Sequence, residues 1–332
     1  MHYTRRAMKS FWIHAEPGRT RLEAREIDRP SPGPGQILIR VRAAGLNRGE
    51  FIAGLGLHAK APAPKPAGGE AAGEVAALGA GVSGFAPGER VMGRAAGAFA
   101  EYALMDAREA IVIPARLDWE QAAAVPLVFM VVHDMLIGQG RLRTGEWLLV
   151  TGVSSGVGVG ALQAGKALGA KVIGTSGSAR KLERLKPLGL DLALETRKGD
   201  FCDAVMSATG GKGANLAINT VGGTMFPECV RALAFEGRLA TVGYLDGVLK
   251  SEIDLDALHA KRLVLFGVSN KLRNAEQRAA TVRGFVADLL PAIADGRITP
   301  LIDRVFDFDA LPAAKAYMES DAQVGKIVVR LP

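Results

Sequence analysis

A run of small residues, Gly152-Val153-Ser154-Ser155-Gly156-Val157-Gly158-Val159-Gly160, follows the apolar segment Trp147-Leu148-Leu149-Val150-Thr151 and leads into Ala161–Leu168. Small side chains let a backbone turn sharply and approach a pyrophosphate, and the free amides that open the next helix point at its oxygens. The spacing is not G-x-G-x-x-G, and glycines here would also let a helix pack closely on a sheet. Strand, turn and helix in that order favour a dinucleotide site. The next strand, Lys171-Val172-Ile173-Gly174-Thr175, runs into Ser176-Gly177-Ser178-Ala179-Arg180-Lys181. A site built for NAD places Asp or Glu at that strand end, on the ribose 2′-hydroxyl. Hydroxyls and two cations instead suit a 2′-phosphate through charge-assisted hydrogen bonds, so the expected cofactor is NADPH rather than NADH.

To position these residues the chain needs a parallel sheet covered on both faces, and its middle has that pattern. A helix at Leu127–Ile137 and the strand Trp147–Thr151 are followed by helix Val157–Leu168, strand Lys171–Thr175, helix Ala179–Leu188 and strand Ala214–Thr220. Helix Met225–Phe235 and the strands Arg238–Val242 and Arg262–Val268 continue the alternation. The fold class is therefore α/β, a doubly wound sheet. The first third reads differently, as short strands and glycine turns about every ten residues, a small barrel-like β domain. There Ile37–Arg42 is a strand, Asn47 is placed to cap a short helix ending near Gly54, and Ala59–Gly69, with its prolines, is a loop. The last sixty or so residues give a long helix around Ala275–Ala294, strand Leu301–Phe306, helix Ala310–Ser320 and a strand Lys326–Leu331 expected to return to the first domain. The 332 residues thus divide into a nucleotide domain at 126–270 and a second domain built from 1–125 and 271–332.

Composition excludes several classes. The chain is 48% hydrophobic and 23% charged, average for a globular protein, which rules out disorder, collagen and coiled coil. The formal charge is +7, yet the basic residues are scattered, so nucleic acid is not an expected partner. Cys202 and Cys229 make neither a metal pair nor a disulfide framework and point to a reducing compartment. No apolar run approaches the ~20 residues of a membrane span, and the head lacks the apolar stretch of a signal peptide. A cytoplasmic location and no membrane partner are expected.

Six segments in order carry a family likeness: Ala44-Gly45-Leu46-Asn47, Gly69-Glu70-Ala71-Ala72-Gly73-Glu74-Val75, Pro87-Gly88-Glu89-Arg90-Val91, Gly97-Ala98-Phe99-Ala100-Glu101-Tyr102, Ser155-Gly156-Val157-Gly158 and Gly325-Lys326-Ile327-Val328-Val329. Over nearly its whole length the chain resembles the medium-chain dehydrogenases/reductases, in their zinc-independent quinone oxidoreductase branch. The resemblance implies a GroES-like β domain made from both chain ends and a central Rossmann domain. In the zinc alcohol dehydrogenases of this superfamily a cysteine ligand stands where this chain has Asn47, and a histidine ligand where it has Gly69. A zinc site needs about three protein ligands with N or S donors, so no metal is expected. The resemblance then implies hydride transfer from NADPH to a quinone or another activated enone, whose own conjugation stabilises the developing charge.

By the same resemblance Asn47 lies near the nicotinamide ribose, and Gly156, Val157 and Lys181 hold the phosphates; Ser155, Gly158, Ser176 and Arg180 complete the candidate cofactor-binding residues read from the turn and the strand end. Thr220, Gly222 and Gly243 line the cofactor cleft at strand ends, and Phe266 and Val268 flank the nicotinamide. Phe51, His58 and Phe129 would border the acceptor. His58, with an ordinary pKa near 6.5, is the candidate proton donor, set against a plain surface histidine in a proline-rich loop; His133, on an apolar helix, reads as a packing residue. Relatives often carry a tyrosine on the 2′-phosphate where this chain has Thr196, and a threonine beneath the nicotinamide where it has Val131. Alternative readings are a 2-alkenal reductase that ignores quinones and a non-catalytic NADPH-binding protein. A homodimer joined through Arg262–Val268 as an edge strand is expected.

Overall fold

The computed structural model describes residues 7–16, 18–51 and 63–332. They form two compact units, one comprising residues up to Leu127 together with Pro300–Pro332 and the other Val128–Thr299.

The first unit is built on strands whose buried positions are apolar. In β3 (Gln36–Gly45), Ile37, Leu38, Ile39 and Val41 are buried while Arg40 is exposed. Around β3 a seven-stranded sheet runs in the order β15 (Ile302–Asp307), β16 (Lys326–Arg330), β3, β5 (Glu70–Leu78), β6 (Arg90–Arg94), β8 (Ala110–Val112), with β7 (Tyr102–Asp106) also on β3. The closing strand β16 pairs antiparallel with β3, Val328 opposite Gly45 and Arg330 opposite Ala43, so the last strand does return to the first domain. A smaller sheet joins β1 (Ala7–Glu16) to β2 (Arg19–Asp28) and to the short β4 (Lys65–Pro66). Phe11, Phe99, Met105, Ile327 and Val329 share the resulting core with residues of β3.

In the second unit the strands β11 (Leu192–Glu195), β10 (Lys171–Ser176), β9 (Trp147–Thr151), β12 (Ala214–Asn219), β13 (Leu233–Thr241) and β14 (Val264–Gly267) lie side by side in that order, all parallel. This is the 3-2-1-4-5-6 order of a doubly wound dinucleotide fold, whose order reverses between β9 and β12. Leu148, Leu149, Val150, Leu216, Ala217 and Ile218 are fully buried, as strands covered on both faces require. Helix α3 (Gly156–Ala167) packs Gly160 against α2 (Pro126–His133), where a Cβ would stand 2.7 Å from Val128 Cγ1.

Several elements depart from the sequence reading. The helix expected over Ala179–Leu188 stops as α4 at Ala179–Glu183, and α2 passes into a π-helical turn at Asp134–Gly138. Strand β11, helix α5 (Cys202–Ala208) and helix α7 (Leu255–Ala260) lie within stretches without a clear periodic signal. The long helix is broken into α8 (Ala275–Asp288) and α9 (Leu290–Ala294), because Pro291 has no amide to continue the ladder. Both belong to the second unit, so the boundary expected at 270/271 moves to 299/300. His133 Nε2 lies 2.8 Å from Asp288 Oδ2 and Phe129 faces Phe285 at 6.4 Å, which ties α8 to α2. Among the described residues no helix is long and apolar enough to cross a membrane.

One glycine of the first unit has no freedom to change. The β3–β5 register shifts beside the Val41–Gly73 pair, and a Cβ on Gly73 would lie 2.2 Å from the Arg40 carbonyl oxygen. Since that neighbour is backbone, Gly73→Ala is expected to destabilise the fold by about 2–3 kcal/mol, read as a lowered urea midpoint with unchanged slope. An unshifted midpoint would show that the bulge absorbs the methyl.

Candidate active site

The carboxyl end of β9 delivers the chain into Gly152, which turns with φ +63°; a Cβ there would meet Thr220 Oγ1 at 2.6 Å. Ser155 caps α3, its hydroxyl accepting from the Gly158 amide at 3.0 Å and its carbonyl from Val159 at 2.8 Å. The amides of Gly156 and Val157 are left without a partner among the described residues, on the partly exposed first turn. A Cβ on Gly158 would lie 2.5 Å from the Gly152 carbonyl oxygen, so the turn closes this tightly only with glycine. Free amides at the opening of a twelve-residue helix, behind a floor with no side chains, fit a dinucleotide pyrophosphate.

Across the switch point, β12 supplies the other lip. Thr220 Oγ1 donates to the Thr151 carbonyl at 2.7 Å, and its amide donates to Thr151 Oγ1 at 3.2 Å. The fully buried Asn219 organises the turn that follows: its Oδ1 accepts from the amides of Val221 and Gly222 and from Thr151 Oγ1, and its Nδ2 donates to the Gly222 carbonyl. Gly222 has φ +131°, and a Cβ on it would fall 2.1 Å from Asp246 Oδ1. Burial raises the Asp246 pKa, but the Thr224 hydroxyl and amide and the Val248 amide outweigh it and hold the carboxyl below its ordinary value. Gly243 stands just beyond β13, where a Cβ would lie 2.9 Å from the Thr220 carbonyl oxygen. Gly152, Thr220, Gly222 and Gly243 thus converge at neighbouring strand ends. Thr151 and Asn219 escape a sequence reading, since a buried Asn at a strand end carries no distinctive spacing.

At the end of β10, Ser176 is buried with its hydroxyl 3.3 Å from that of Ser154. Ser178 caps α4, accepting from the Lys181 amide; Arg180 is exposed and Lys181 half-buried. The strand end itself carries no acid, but the neighbouring strand brings one close: Glu195, paired with Ser176 in the β10–β11 register, accepts from the Ala179 amide at 3.0 Å. On the far edge Phe266 is partly buried, and Val268 donates its amide to the Thr241 carbonyl at 3.0 Å.

In the first unit a polar cluster surrounds Asn47. Contrary to the expected capping role, the Asn47 side chain does not cap the 3₁₀ turn Arg48–Glu50. Its Nδ2 donates to Glu70 Oε1 at 2.8 Å and to Glu50 Oε1 at 3.1 Å, and its Oδ1 accepts from Lys326 Nζ at 2.9 Å. Lys326, 6% exposed, also donates to Glu70 Oε1 at 2.7 Å and to the Leu46 carbonyl at 2.8 Å. Glu70, wholly buried, takes the Leu127 amide on its other oxygen at 2.7 Å. A contact from Asn47 to a cofactor ribose would compete with these bonds. The cluster does not fit a zinc ion, because Gly69 brings no donor while Asn47 Oδ1 and Glu70 Oε1 already serve an ammonium. Phe51 and Phe129 are 4% and 2% exposed, each in the interior of its own unit, which gives both rings a packing role. His58 lies outside the described residues.

Glu50 is the unusual acid of this cluster. Burial drives its pKa up to about 7, aided by the Glu70 charge and opposed by the Asn47 amide, Lys326 and the Gly68 amide. Between the ordinary value of 4.5 and about 7 the folded protein holds a proton that the unfolded chain has released, so stability falls as pH rises through that window. Glu50→Gln removes this slope. Relative to the parent, the variant is expected to gain stability between pH 5 and pH 8, by on the order of 3 kcal/mol at most, measured by urea unfolding. Parallel pH profiles for the two proteins would reject the raised pKa.

Comparison with known proteins agrees with this geometry. Residues 33–115 match the alcohol dehydrogenase GroES-like domain, and residues 156–282 match the domain described as zinc-binding dehydrogenase. Quinone oxidoreductase of Rattus norvegicus is 29% identical over 306 residues, 91% of each chain. A phenolphthiocerol/phthiocerol polyketide synthase of Mycobacterium tuberculosis is 30% identical over 96% of this chain, although the chain spans only 14% of that protein. A mycobacterial protein solved in complex with NADPH superposes with a TM-score of 0.87 at 27% identity, covering 97% of this chain and 99% of that one. The chain belongs to the zinc-independent branch of the medium-chain dehydrogenase/reductase family, with a GroES-like and a Rossmann-type unit.

Proposed function

We propose that the chain is an NADPH-dependent reductase that delivers hydride to a quinone or another activated enone without a metal. The observation that carries this reading is the Lys326 ammonium seated on Asn47 Oδ1 and Glu70 Oε1. With those oxygens committed, no open coordination position is left to polarise an alcohol or a simple carbonyl, and the acceptor must supply its own electron sink. When bound, NADPH supplies the hydride. The residues of this chain hold and orient: the Gly156 and Val157 amides take the pyrophosphate, the Thr151–Asn219–Thr220 network fixes the lip beside it, and Arg180 and Lys181 stand with Ser176 near the 2′-phosphate. Phe266 and Val268 would flank the nicotinamide. His58 would give the proton that completes the two-electron reduction of the acceptor.

Two further parts go with this reading. Strand β14 is an edge of the six-stranded sheet, with Val264 52% and Phe235 on β13 61% exposed, which supports a homodimer joined edge to edge. Cys202 and Cys229 are free and buried, which suits the reducing cytoplasm.

Mixing protein, NADPH and 9,10-phenanthrenequinone should bleach the reduced-nicotinamide absorbance at a rate proportional to protein, with NADH much poorer. His58→Ala should lower turnover about 100-fold or more and flatten its alkaline limb, since a proton donor is lost as pH rises through its pKa. Tight NADPH binding with no oxidation of a quinone or enone panel would make the chain a binding protein instead, and an unchanged pH profile would dismiss His58. Light scattering at micromolar concentration is expected to give twice the chain mass, and Val264→Lys the single mass; a monomer in the parent protein rejects the edge pairing.

A further inference from the structure

We infer that Arg197 determines which cofactor is taken, by gripping the 2′-phosphate of NADPH from above Gly177; the inference rests on the NADPH reading. In a doubly wound fold the adenosine ribose meets the end of the second strand, here Ser176-Gly177 after β10. The arm of Arg197, two residues beyond β11, lies over that position. A Cβ placed on Gly177 would stand 2.4 Å from Arg197 Cγ, 2.5 Å from Nε and 2.8 Å from Cζ. The glycine therefore makes room for the guanidinium, and the backbone beneath it limits where the arm can swing.

The charge is uncommitted. Arg197 makes no hydrogen bond or ion pair with any described residue. Its neighbours are occupied: Thr196 Oγ1 donates to Asp200 and accepts from the Lys198 amide, Glu195 holds the Ala179 amide, and Lys181 has other partners. Thr196 is turned in on its own loop, and the cation one residue later reaches the strand end. A planar guanidinium, prepositioned by packing, offers a phosphate two parallel N–H donors at little entropic cost. Ser176 and the exposed Arg180 would complete the anion's surroundings, whereas Glu195 disfavours a dianion left without a cation.

The test is equilibrium binding of NADPH, NADH and 2′,5′-ADP, read by cofactor fluorescence and calorimetry on the full chain. The parent protein should bind NADPH more tightly than NADH, and its NADPH affinity should fall more steeply with salt. Arg197→Met keeps the apolar stem and removes the charge; it should weaken NADPH and 2′,5′-ADP about 10–100-fold and leave NADH within about twofold. Gly177→Ala, which pushes the arm aside without removing it, should give a smaller loss of the same selective kind. If Arg197→Met weakens both cofactors alike, or retains the parent preference, the assignment of Arg197 is overturned while the NADPH reading stands. A parent protein that prefers NADH overturns the cofactor reading itself and gives the ribose to Glu195.

Discussion

The first unit depends on the ammonium of Lys326 being buried against Glu70. Lysine and glutamate are rarely so enclosed, since removing either charge from water costs several kcal/mol, and only near-complete pairing offsets it. Here the pairing is complete for the cation: its three N–H groups find the Leu46 carbonyl, Asn47 Oδ1 and Glu70 Oε1. Glu70 in turn takes the Leu127 amide and Asn47 Nδ2. Four separated segments are thereby registered on one carboxylate, and β16 is held beside β3 by charge as well as by its ladder. Gly45 must stay small for this to happen, because a Cβ there would press within 2.5 Å of Glu70 Oε1. Removing one partner would strand a buried charge, which costs more than the pair contributes.

The second unit obeys a different constraint, that of close approach. Its cradle is made by what is missing: side chains at Gly152, Gly158, Gly222 and Gly243 would each collide with backbone or with a fixed polar group. What remains is an array of oriented amides, stiffened from behind by Asn219 and the two threonines. An array fixed before the ligand arrives does not have to be ordered when it binds, so more of the interaction appears as affinity. The Asp246 carboxylate, held low by Thr224 and Val248, pins the outer rim of the same turn.

Much of this architecture could be read from residue order. The strand Trp147–Thr151 and the helix opening near Gly156 follow from apolar run, glycine turn and cap, all local signals. Strand β11 escapes such a reading because Leu192–Glu195 is short and half-exposed, and its identity comes from pairing with Ile173–Ser176. The same pairing hides the two charged groups beside the end of β10, Glu195 and Arg197, since neither lies near Ser176 in sequence. Lys326 is visible within Gly325-Lys326-Ile327, yet a lysine reads as solvated until a buried carboxylate is placed opposite it. Asn47 reads as a cap because asparagine before a short helix usually is one; here tertiary partners outcompete the local amide. Local chemistry was legible, and partnerships across the sheets were not.

Those partnerships decide what chemistry the scaffold permits. A zinc ion and a lysine ammonium are both cations, and either can compensate a buried glutamate. The metal, however, keeps an orbital open to a substrate oxygen, whereas this ammonium has committed every donor to the protein. It can stabilise the fold without touching a reacting atom. Exchanging one cation for the other therefore preserves the β unit and withdraws the Lewis acid. Glu50, raised toward neutrality by burial and by Glu70, shows how near this cluster stands to its limit of charge: the site accommodates one carboxylate with its lysine, and a second only at a penalty in pKa.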